Sequence, residues 1–251
     1  MNAQFLIWLI AGAAAGGFVS GLAGFGTALF TLVFWLKVMP PQQAVAIVLI
    51  MSVTSGLQGV YLVRHAIVAE RWRLLRFLLP ALIGVPIGIA LLGYVDARAL
   101  KLVIGAFMLL YGTFFIARRS LPVFERRTHA ADIVVGHLSG ILGGAASLSG
   151  ALPTMWCALR PWTKAEQRAV LQPFSVVVLA VTATILAIKG AYNTETLMPI
   201  GIALPITLLS TQLGITVYWR LEDKRFKRLL IGLMFVSGLS IVLGEIVSLG
   251  T

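Results

Sequence analysis

The sequence predicts an all-α polytopic membrane protein made of two inverted repeats, each with three spans and one glycine-rich, re-entrant or broken hairpin. Three observations lead to this prediction: the composition, an internal repeat and the distribution of basic residues. Of the 251 residues, 59% are hydrophobic and 12% are charged, whereas a soluble domain has about 45–50% apolar and about 25% charged residues. This composition excludes a soluble enzyme, a nucleic-acid-binding domain and a disordered protein, and it makes the lipid bilayer the expected environment.

Eight apolar runs divide the chain, and most have about the length of one helical span. They cover residues 5–36, 42–63, 77–95, 102–117, 131–159, 169–188, 197–219 and 229–248. The runs 5–36 and 131–159 are too long for one ordinary span and too short for two, and both are rich in glycine near their centres. Glycine destabilises a helix by about 1 kcal/mol relative to alanine. We therefore expect each of these two runs to break and fold back.

An ordered internal repeat supports two related halves. The pattern G-x-x-S-G-x-x-G occurs at residues 17–24 and again at residues 136–143. Further along, Pro80 matches Pro205 and Asp96 matches Asp223, so the order of the matches is kept. The set indicates a duplication, with a first membrane repeat over 1–128 and a second over 129–251 that together form one transmembrane domain. Internal repeats of this kind are typical of transporter folds.

The 20 basic residues distinguish two topologies. If all eight runs cross the membrane once, one side carries 9 basic residues and the other carries 11. If the two glycine-rich runs enter and leave on the same side, one face carries 16 and the other carries only 4. Because positively charged loops prefer the cytoplasm, six spans with two hairpins are favoured over the alternative of eight plain spans. This topology predicts a bacterial inner-membrane protein with both termini in the periplasm.

The two hairpins are expected to meet near the midplane and to form the substrate site. Broken helices expose backbone N–H groups and the positive end of a helix dipole, which suits an anion, and glycine allows a close approach to the backbone. The alternative is that the small residues only permit tight helix packing. The candidate substrate-binding residues are the hydroxyl residues and glycines Ser20, Gly21, Gly24, Gly26, Thr27, Ser139, Gly140, Gly143, Gly144, Ser147 and Ser149.

Five more polar residues are candidates for a substrate pathway: Lys37, Gln58, His137, Arg160 and Gln172. The two glutamines either face a pathway or bond a neighbouring helix. Lys37 and Arg160 follow the two hairpins at matching places and could attract an anion to each mouth, although loop charges are usually only solvated. His137 could titrate, but a packed, hydrogen-bonded histidine is the commoner outcome.

Neither catalysis nor a cofactor is expected. The sequence has no Gly-x-Ser-x-Gly, His-Glu-x-x-His or P-loop motif, and its three histidines and single cysteine form no convincing metal site. The net charge of +11 is attributed to membrane topology rather than to nucleic acid. Acidic residues lie nearly all in loops, so protons are only a candidate coupling ion. An oligomer is left open.

Three segments resemble the TauE/SafE family of membrane permeases, also called the sulfite exporter family. They are residues 17–27 (GFVSGLAGFGT), the repeat at 136–150, and residues 221–232 (LEDKRFKRLLIG). The resemblance covers nearly the whole chain and implies a transporter of a sulfur-containing anion such as sulfite or an organosulfonate, often outward, with the anion site on the two glycine motifs. Broken helices in repeated halves suggest alternating access. The alternatives are a permease of the same fold that imports another small anion and a non-transporting membrane scaffold.

Overall fold

A computed structural model describes residues 2–117, 128–157 and 159–220, together with positions 232, 235, 238, 239 and 242. The described ranges consist of helices joined by short turns and loops. The helices are α1 (Ala3–Ala23), α2 (Thr27–Trp35), α3 (Pro41–Ala69), α4 (Arg71–Leu92), α5 (Ala97–Ala117), α6 (His129–Ala146), α7 (Ala151–Cys157), α8 (Lys164–Ile188) and α9 (Thr194–Arg220). Within this part of the chain, six helices are long and apolar enough to cross a membrane. The predicted all-α polytopic membrane protein is thus confirmed.

These six helices are not the six predicted spans, because the two sets differ at the ends of the chain. The candidates are α1, α3, α4, α5, α8 and α9. The prediction assigned α1 to a re-entrant hairpin, yet its 21 residues reach about 30 Å, the thickness of the hydrocarbon core. The predicted span at 229–248 falls almost entirely outside the described residues, as do the basic loop 118–127 and the family segment at 221–232.

The first glycine-rich run forms a helical hairpin, α1–α2, which we call hairpin 1. Its break lies at residues 24–26, where Gly24 and Gly26 have φ angles of 79° and 98°, a backbone region that favours glycine. Helix α2 then returns along α1. At the base of the hairpin, Trp35 near the end of α2 donates its indole N–H to the Leu9 carbonyl near the start of α1, over 3.1 Å.

The second glycine-rich run forms hairpin 2, the pair α6–α7. Here Ser147 follows the end of α6 with a φ of 59°, in the same left-handed region. The return of the chain is shown by Trp156 near the end of α7, whose indole N–H donates to Asp132 Oδ1 in the first turn of α6, over 2.8 Å. The expectation that both runs break near their centres therefore holds, although the helices extend through most of their glycines.

Those glycines remain helical because each hairpin packs closely on a long helix of the other half. Helix α1 lies parallel to α9, and Thr211 Oγ1 donates to the Gly17 carbonyl over 3.1 Å. A Cβ atom added at Gly21 would overlap the Thr211 carbonyl of α9, and one at Gly140 of α6 would overlap the Ala81 carbonyl of α4. Helices α6 and α4 are likewise parallel, since Phe77, Ala81 and Val85 meet Gly136, Gly140 and Gly144 in ascending order.

Helices α3 and α8 pack antiparallel at the centre of the described helices. Tyr192, just after α8, donates its hydroxyl to the Ala46 carbonyl near the start of α3 over 3.1 Å. Further along α3, Gln172 Nε2 of α8 donates to the Gly56 carbonyl over 3.2 Å. If α1, α3 and α4 of the first half correspond to α6, α8 and α9 of the second, the α1–α9 contact corresponds to the α6–α4 contact. The α3–α8 contact then corresponds to itself.

The helix ends form two faces, each with a large open cavity. At the basic face, which comprises the described parts of residues 64–76 and 160–168, Arg73 Nη1 lies 3.1 Å from Glu166 Oε1, beside a cavity of about 430 Å³. At the opposite face, around Pro40, Gly93 and Lys189, the cavity measures about 490 Å³. Eight plain spans would have placed residues 64–76 and 160–168 at opposite ends, so this alternative does not fit the described helices.

Candidate substrate site between the hairpin tips

The tips of the two hairpins meet at one small cavity between α3 and α8. Its volume is about 30 Å³, enough for about two water molecules, so the site is nearly closed in this conformation. Hairpin 1, hairpin 2, α3 and α8 all contribute to its wall. The polar side chains that line it are Ser20, Thr27, Ser52, Ser147, Ser149, Gln172 and Ser175.

Unsatisfied polar atoms are concentrated around this cavity. Within the described part of the chain, five of its lining atoms are buried without a hydrogen-bond partner: Ser52 Oγ, Ser147 Oγ, Ser149 Oγ, Gln172 Oε1 and Ser175 Oγ. A buried polar group without a partner costs about 1–3 kcal/mol. Five of them around one space indicate that the space is built for a polar ligand or for water.

The electrostatic character of the cavity suits an anion. Its wall includes the first turn of α2, at Gly26, Thr27 and Ala28, and the first N–H groups of a helix have no acceptor within that helix. The positive end of the α2 dipole also lies there. The serine hydroxyls can donate to an oxyanion, whereas no carboxylate is among the described residues that line the cavity.

Seven of the residues predicted from the sequence come together at this cavity. From the substrate-binding set they are Ser20, Gly24, Gly26, Thr27, Ser147 and Ser149, and from the pathway set Gln172. Ser20 Oγ also lies 3.2 Å from Ser55 Oγ of α3, which connects hairpin 1 to the central helix pair. The hairpin hydroxyls thus converge as expected, and their contact with substrate stays a prediction.

Four of the predicted glycines and one serine lie on other surfaces of the hairpins. Gly21, Gly140 and Gly144 face the backbones of α9 and α4, so close helix packing, the alternative interpretation, accounts for their size. Gly143 packs on α8, where an added Cβ would lie 2.9 Å from Val178 Cγ1. Ser139 donates its hydroxyl to the Val135 carbonyl of its own helix over 2.5 Å. A substrate contact at these positions stays a prediction.

The two basic pathway candidates lie at opposite ends of the molecule. Lys37 follows hairpin 1, with its Nζ 4.2 Å from the centre of the Trp8 ring. Arg160 follows hairpin 2 at the basic face, where it is 8% exposed, contacts Thr128 and lies 3.4 Å from Asp132. Both therefore lie near a mouth of the molecule, and Arg160 is buried in a cluster rather than solvated.

The remaining pathway candidates lie within the helix bundle. Gln58 is half-buried on α3, and its Oε1 has no hydrogen-bond partner among the described residues. His137 on α6 lies with its Nδ1 3.2 Å from the Pro80 carbonyl of α4. That contact favours the packed, hydrogen-bonded interpretation of the histidine.

With the site defined, comparison with known proteins identifies the family. The family model described as sulfite exporter TauE/SafE matches residues 8–241. The chain belongs to the TauE/SafE family. No curated protein and no solved structure matches it. Membership makes this TauE/SafE protein a multi-pass membrane protein of a transporter family, as the glycine motifs and residues 221–232 implied.

Sequence reasoning missed several polar residues of this TauE/SafE protein. Ser52 on α3 and Ser175 on α8 line the cavity but have no hairpin motif around them. Asp132 is 6% exposed in the first turn of α6, although acidic residues were assigned mainly to loops. Arg168 lies near the cavity, and the signal that could have found it is its position four residues before Gln172, on the same side of a helix.

Proposed function

We propose that this TauE/SafE protein exports a small sulfur-containing anion, such as sulfite or an organosulfonate, from a bacterial cell by alternating access. One observation carries the proposal: hydroxyls of both hairpins converge on a cavity that also contains the first turn of α2, and the two from hairpin 2, Ser147 and Ser149, are buried without a partner among the described residues. Family membership supports the substrate class. The polar lining of the cavity supports the proposed location of the anion site.

The three cavities suggest how access alternates. The central cavity of about 30 Å³ lies between helices whose ends line the two larger ones, of about 430 Å³ and 490 Å³. The central site is nearly closed, so the hairpins must move relative to α3 and α8 to admit the anion. Motion of repeated bundles around a fixed central site is the usual mechanism in transporters built from broken helices.

We also propose that the halves 1–128 and 129–251 are inverted repeats, with the basic face in the cytoplasm and both termini in the periplasm. Support comes from the antiparallel α3–α8 pair and from the exchanged contacts α1–α9 and α6–α4. Cysteine labelling tests this topology after replacement of the buried Cys157. A cysteine at the exposed Thr163 should react from the cytoplasmic side and one at the exposed Asn193 from the periplasmic side. The reverse pattern, or equal labelling from one side, contradicts it.

Transport is tested with purified protein in liposomes loaded with sulfite or a short sulfonate. We expect release down the gradient, and a change in rate under an imposed pH gradient only if protons are coupled. Ser175→Leu, which fills the central cavity, should abolish release. Thr184→Leu lies on the same helix at an exposed position and should leave it unchanged.

Three outcomes contradict the proposal in different ways. Absence of flux for every small anion tested favours a non-transporting scaffold. Normal flux in the correctly folded Ser175→Leu variant excludes the central cavity as the site. Net accumulation in right-side-out membrane vesicles, with no release from loaded ones, favours an importer of the same fold.

A further inference from the structure

We infer that Arg168 is the residue that balances the charge of the transported anion, and that it does so from α8, beside the tip of hairpin 1. This inference rests on the proposed function and adds a substrate contact to the site. Arg168 belongs to α8, one helical turn before Gln172, which lines the central cavity. Neither the glycine motifs nor the candidate pathway residues include it.

The geometry at Gly24 brings the arginine to the edge of the cavity. Gly24 lines the cavity, and a Cβ atom built on it would lie 2.8 Å from Gln172 Oε1 and 3.7 Å from Arg168 Nε. The guanidinium carbon would lie 4.0 Å from the same point. The guanidinium, the Gln172 amide and the Gly24 backbone therefore surround one position, which glycine leaves open.

Among the described residues, Arg168 is held in place by an aromatic ring and not by a carboxylate. Its guanidinium lies 4.8 Å from the centre of the Tyr218 ring of α9, a cation–π contact that orients the group. Its Nε is buried and has no hydrogen-bond partner within the described ranges. A buried N–H of a guanidinium that no protein group accepts is the donor an oxyanion would satisfy.

Two other arginines at the basic face, Arg73 and Arg160, have carboxylate partners. Arg73 lies 2.7 Å from Glu70 and 3.1 Å from Glu166, and Arg160 lies 3.4 Å from Asp132. Among the described carboxylates, none forms an ion pair with Arg168. Because a charge moved out of water is costly unless it is paired, an anion in a cavity lined by neutral residues needs such a cation nearby.

The position along α8 also places Arg168 between the large cavity of the basic face and the central cavity. Trp162 and Glu166 line the large cavity of the basic face, whereas Gln172 and Ser175 line the central one. An anion that moves from the basic face along α8 meets the arginine before the serines. The residue therefore combines capture of the anion with charge balance at the site.

Sulfite efflux from proteoliposomes tests the assignment through KM. Replacement of a hydrogen bond to a charged group should weaken binding by about 10- to 100-fold, so we expect Arg168→Gln to raise KM by that factor. Arg168→Lys keeps the charge but not the planar donor set and should recover part of the loss. Arg71→Gln, an exposed arginine at the basic face, is the matched control and should retain the wild-type KM.

A binding measurement separates substrate recognition from a structural role. We expect sulfite to raise the Tm of the wild type and of Arg71→Gln but not that of Arg168→Gln, whose Tm without sulfite should be close to the wild-type value. Equal KM values for Arg168→Gln and Arg71→Gln overturn the inference while leaving the proposed function intact. If Arg168→Gln does not elute as a single species in size-exclusion chromatography, the Arg168→Lys variant is used instead. A wild-type KM and a wild-type effect of sulfite on Tm in Arg168→Lys then overturn the inference. Absence of flux in the wild type instead refutes the proposed function.

Discussion

Hairpin 1 and hairpin 2 share a shape but are closed by different chemistry. The arms of hairpin 1 are joined by neutral groups, as in the 3.1 Å bond from Trp35 Nε1 to the Leu9 carbonyl. The arms of hairpin 2 are joined by charges, because Asp132 accepts from Trp156 Nε1 at 2.8 Å and lies 3.4 Å from Arg160 Nη2. The side chains of this acidic–basic pair are only 8% and 6% exposed.

This difference indicates which hairpin is the more rigid. A helix carbonyl that accepts a neutral side-chain bond still has its own helical N–H, so opening hairpin 1 leaves only neutral donors, such as the Trp35 indole N–H, without their acceptor. Separation of Asp132 from Arg160 instead leaves the buried Asp132 carboxylate without this cation, which is far more costly. We therefore expect hairpin 2 to stay closed at the basic face while hairpin 1 makes the larger movement during transport.

The largest predicted effect follows from the charged pair. Arg160→Gln leaves the Asp132 carboxylate buried without its cation and should lower the free energy of unfolding by about 3–5 kcal/mol. Trp35→Phe, the matched change at the base of hairpin 1, removes one neutral hydrogen bond and part of a fully buried ring, and it should cost about 2 kcal/mol. Denaturant unfolding in detergent micelles measures both.

A second substitution identifies the cause. Asp132→Asn in the Arg160→Gln background removes the orphaned charge and should recover part of the lost stability. If Arg160→Gln is no more destabilising than Trp35→Phe, the two hairpins do not differ in how firmly they are closed. If the double variant is less stable than the single one, the cost does not come from the unpaired carboxylate.

The next largest effect on stability concerns a feature that both hairpins share. Each packs through its glycines against a helix of the other half. Gly21→Ala and Gly140→Ala each place a methyl group against a neighbouring carbonyl and should cost about 1–3 kcal/mol by overpacking. Gly201 of α9 has open space around it, so Gly201→Ala should be neutral or stabilising by up to about 1 kcal/mol. Thermal unfolding compares the three. A cost at Gly21 without one at Gly140 means that the two packing surfaces are not equivalent.

The fold was predictable from the sequence to the level of helices and breaks, but not to their register. Left-handed residues end the first arm of each hairpin, Gly24 in one and Ser147 in the other. Counted back from these residues, Gly21 corresponds to Gly144, whereas the repeated sequence pattern pairs it with Gly140. Glycines that recur every four residues can be aligned equally well after a shift of one helical turn. The sequence pattern alone therefore cannot decide whether Gly21 corresponds to Gly140 or to Gly144.

The site was predictable where it lies on the hairpins, but not where helices of both halves complete it. Glycine-rich breaks with hydroxyls indicated Ser20 and Ser149, because their local pattern is unusual for a membrane segment. Ser52 and Ser175 look like ordinary polar positions in apolar helices, and only the crossing of α3 and α8 brings them to the cavity. Arg168 directly precedes the apolar run 169–188, and nothing in its local sequence distinguishes it from an ordinary charge in a loop.

A smaller effect tests the two hairpin tips against each other. Ser147→Gly removes the left-handed strain of about 1 kcal/mol and should leave stability equal or higher, yet it deletes a cavity hydroxyl and should slow sulfite efflux. Gly24→Ala introduces that strain, and its Cβ would lie 2.8 Å from Gln172 Oε1, so it should cost about 1–2 kcal/mol. Unfolding and efflux are measured on the same preparations. Faster or unchanged efflux in Ser147→Gly excludes a substrate role for this hydroxyl.

The smallest predicted effect tests whether hairpin 1 is loosely closed. Thr31 Oγ1 of α2 donates to the Gly12 carbonyl of α1 over 3.0 Å, and Thr31→Val keeps the shape while removing this bond. Because that carbonyl also faces its own helical N–H, no group is left without a partner, and the cost should be about 0.5–1.5 kcal/mol. Efflux should stay at the wild-type rate or rise, since the hairpin opens more easily. A cost near that of Arg160→Gln, or a loss of efflux in the folded variant, means that neutral closure of hairpin 1 is as strict as charged closure of hairpin 2.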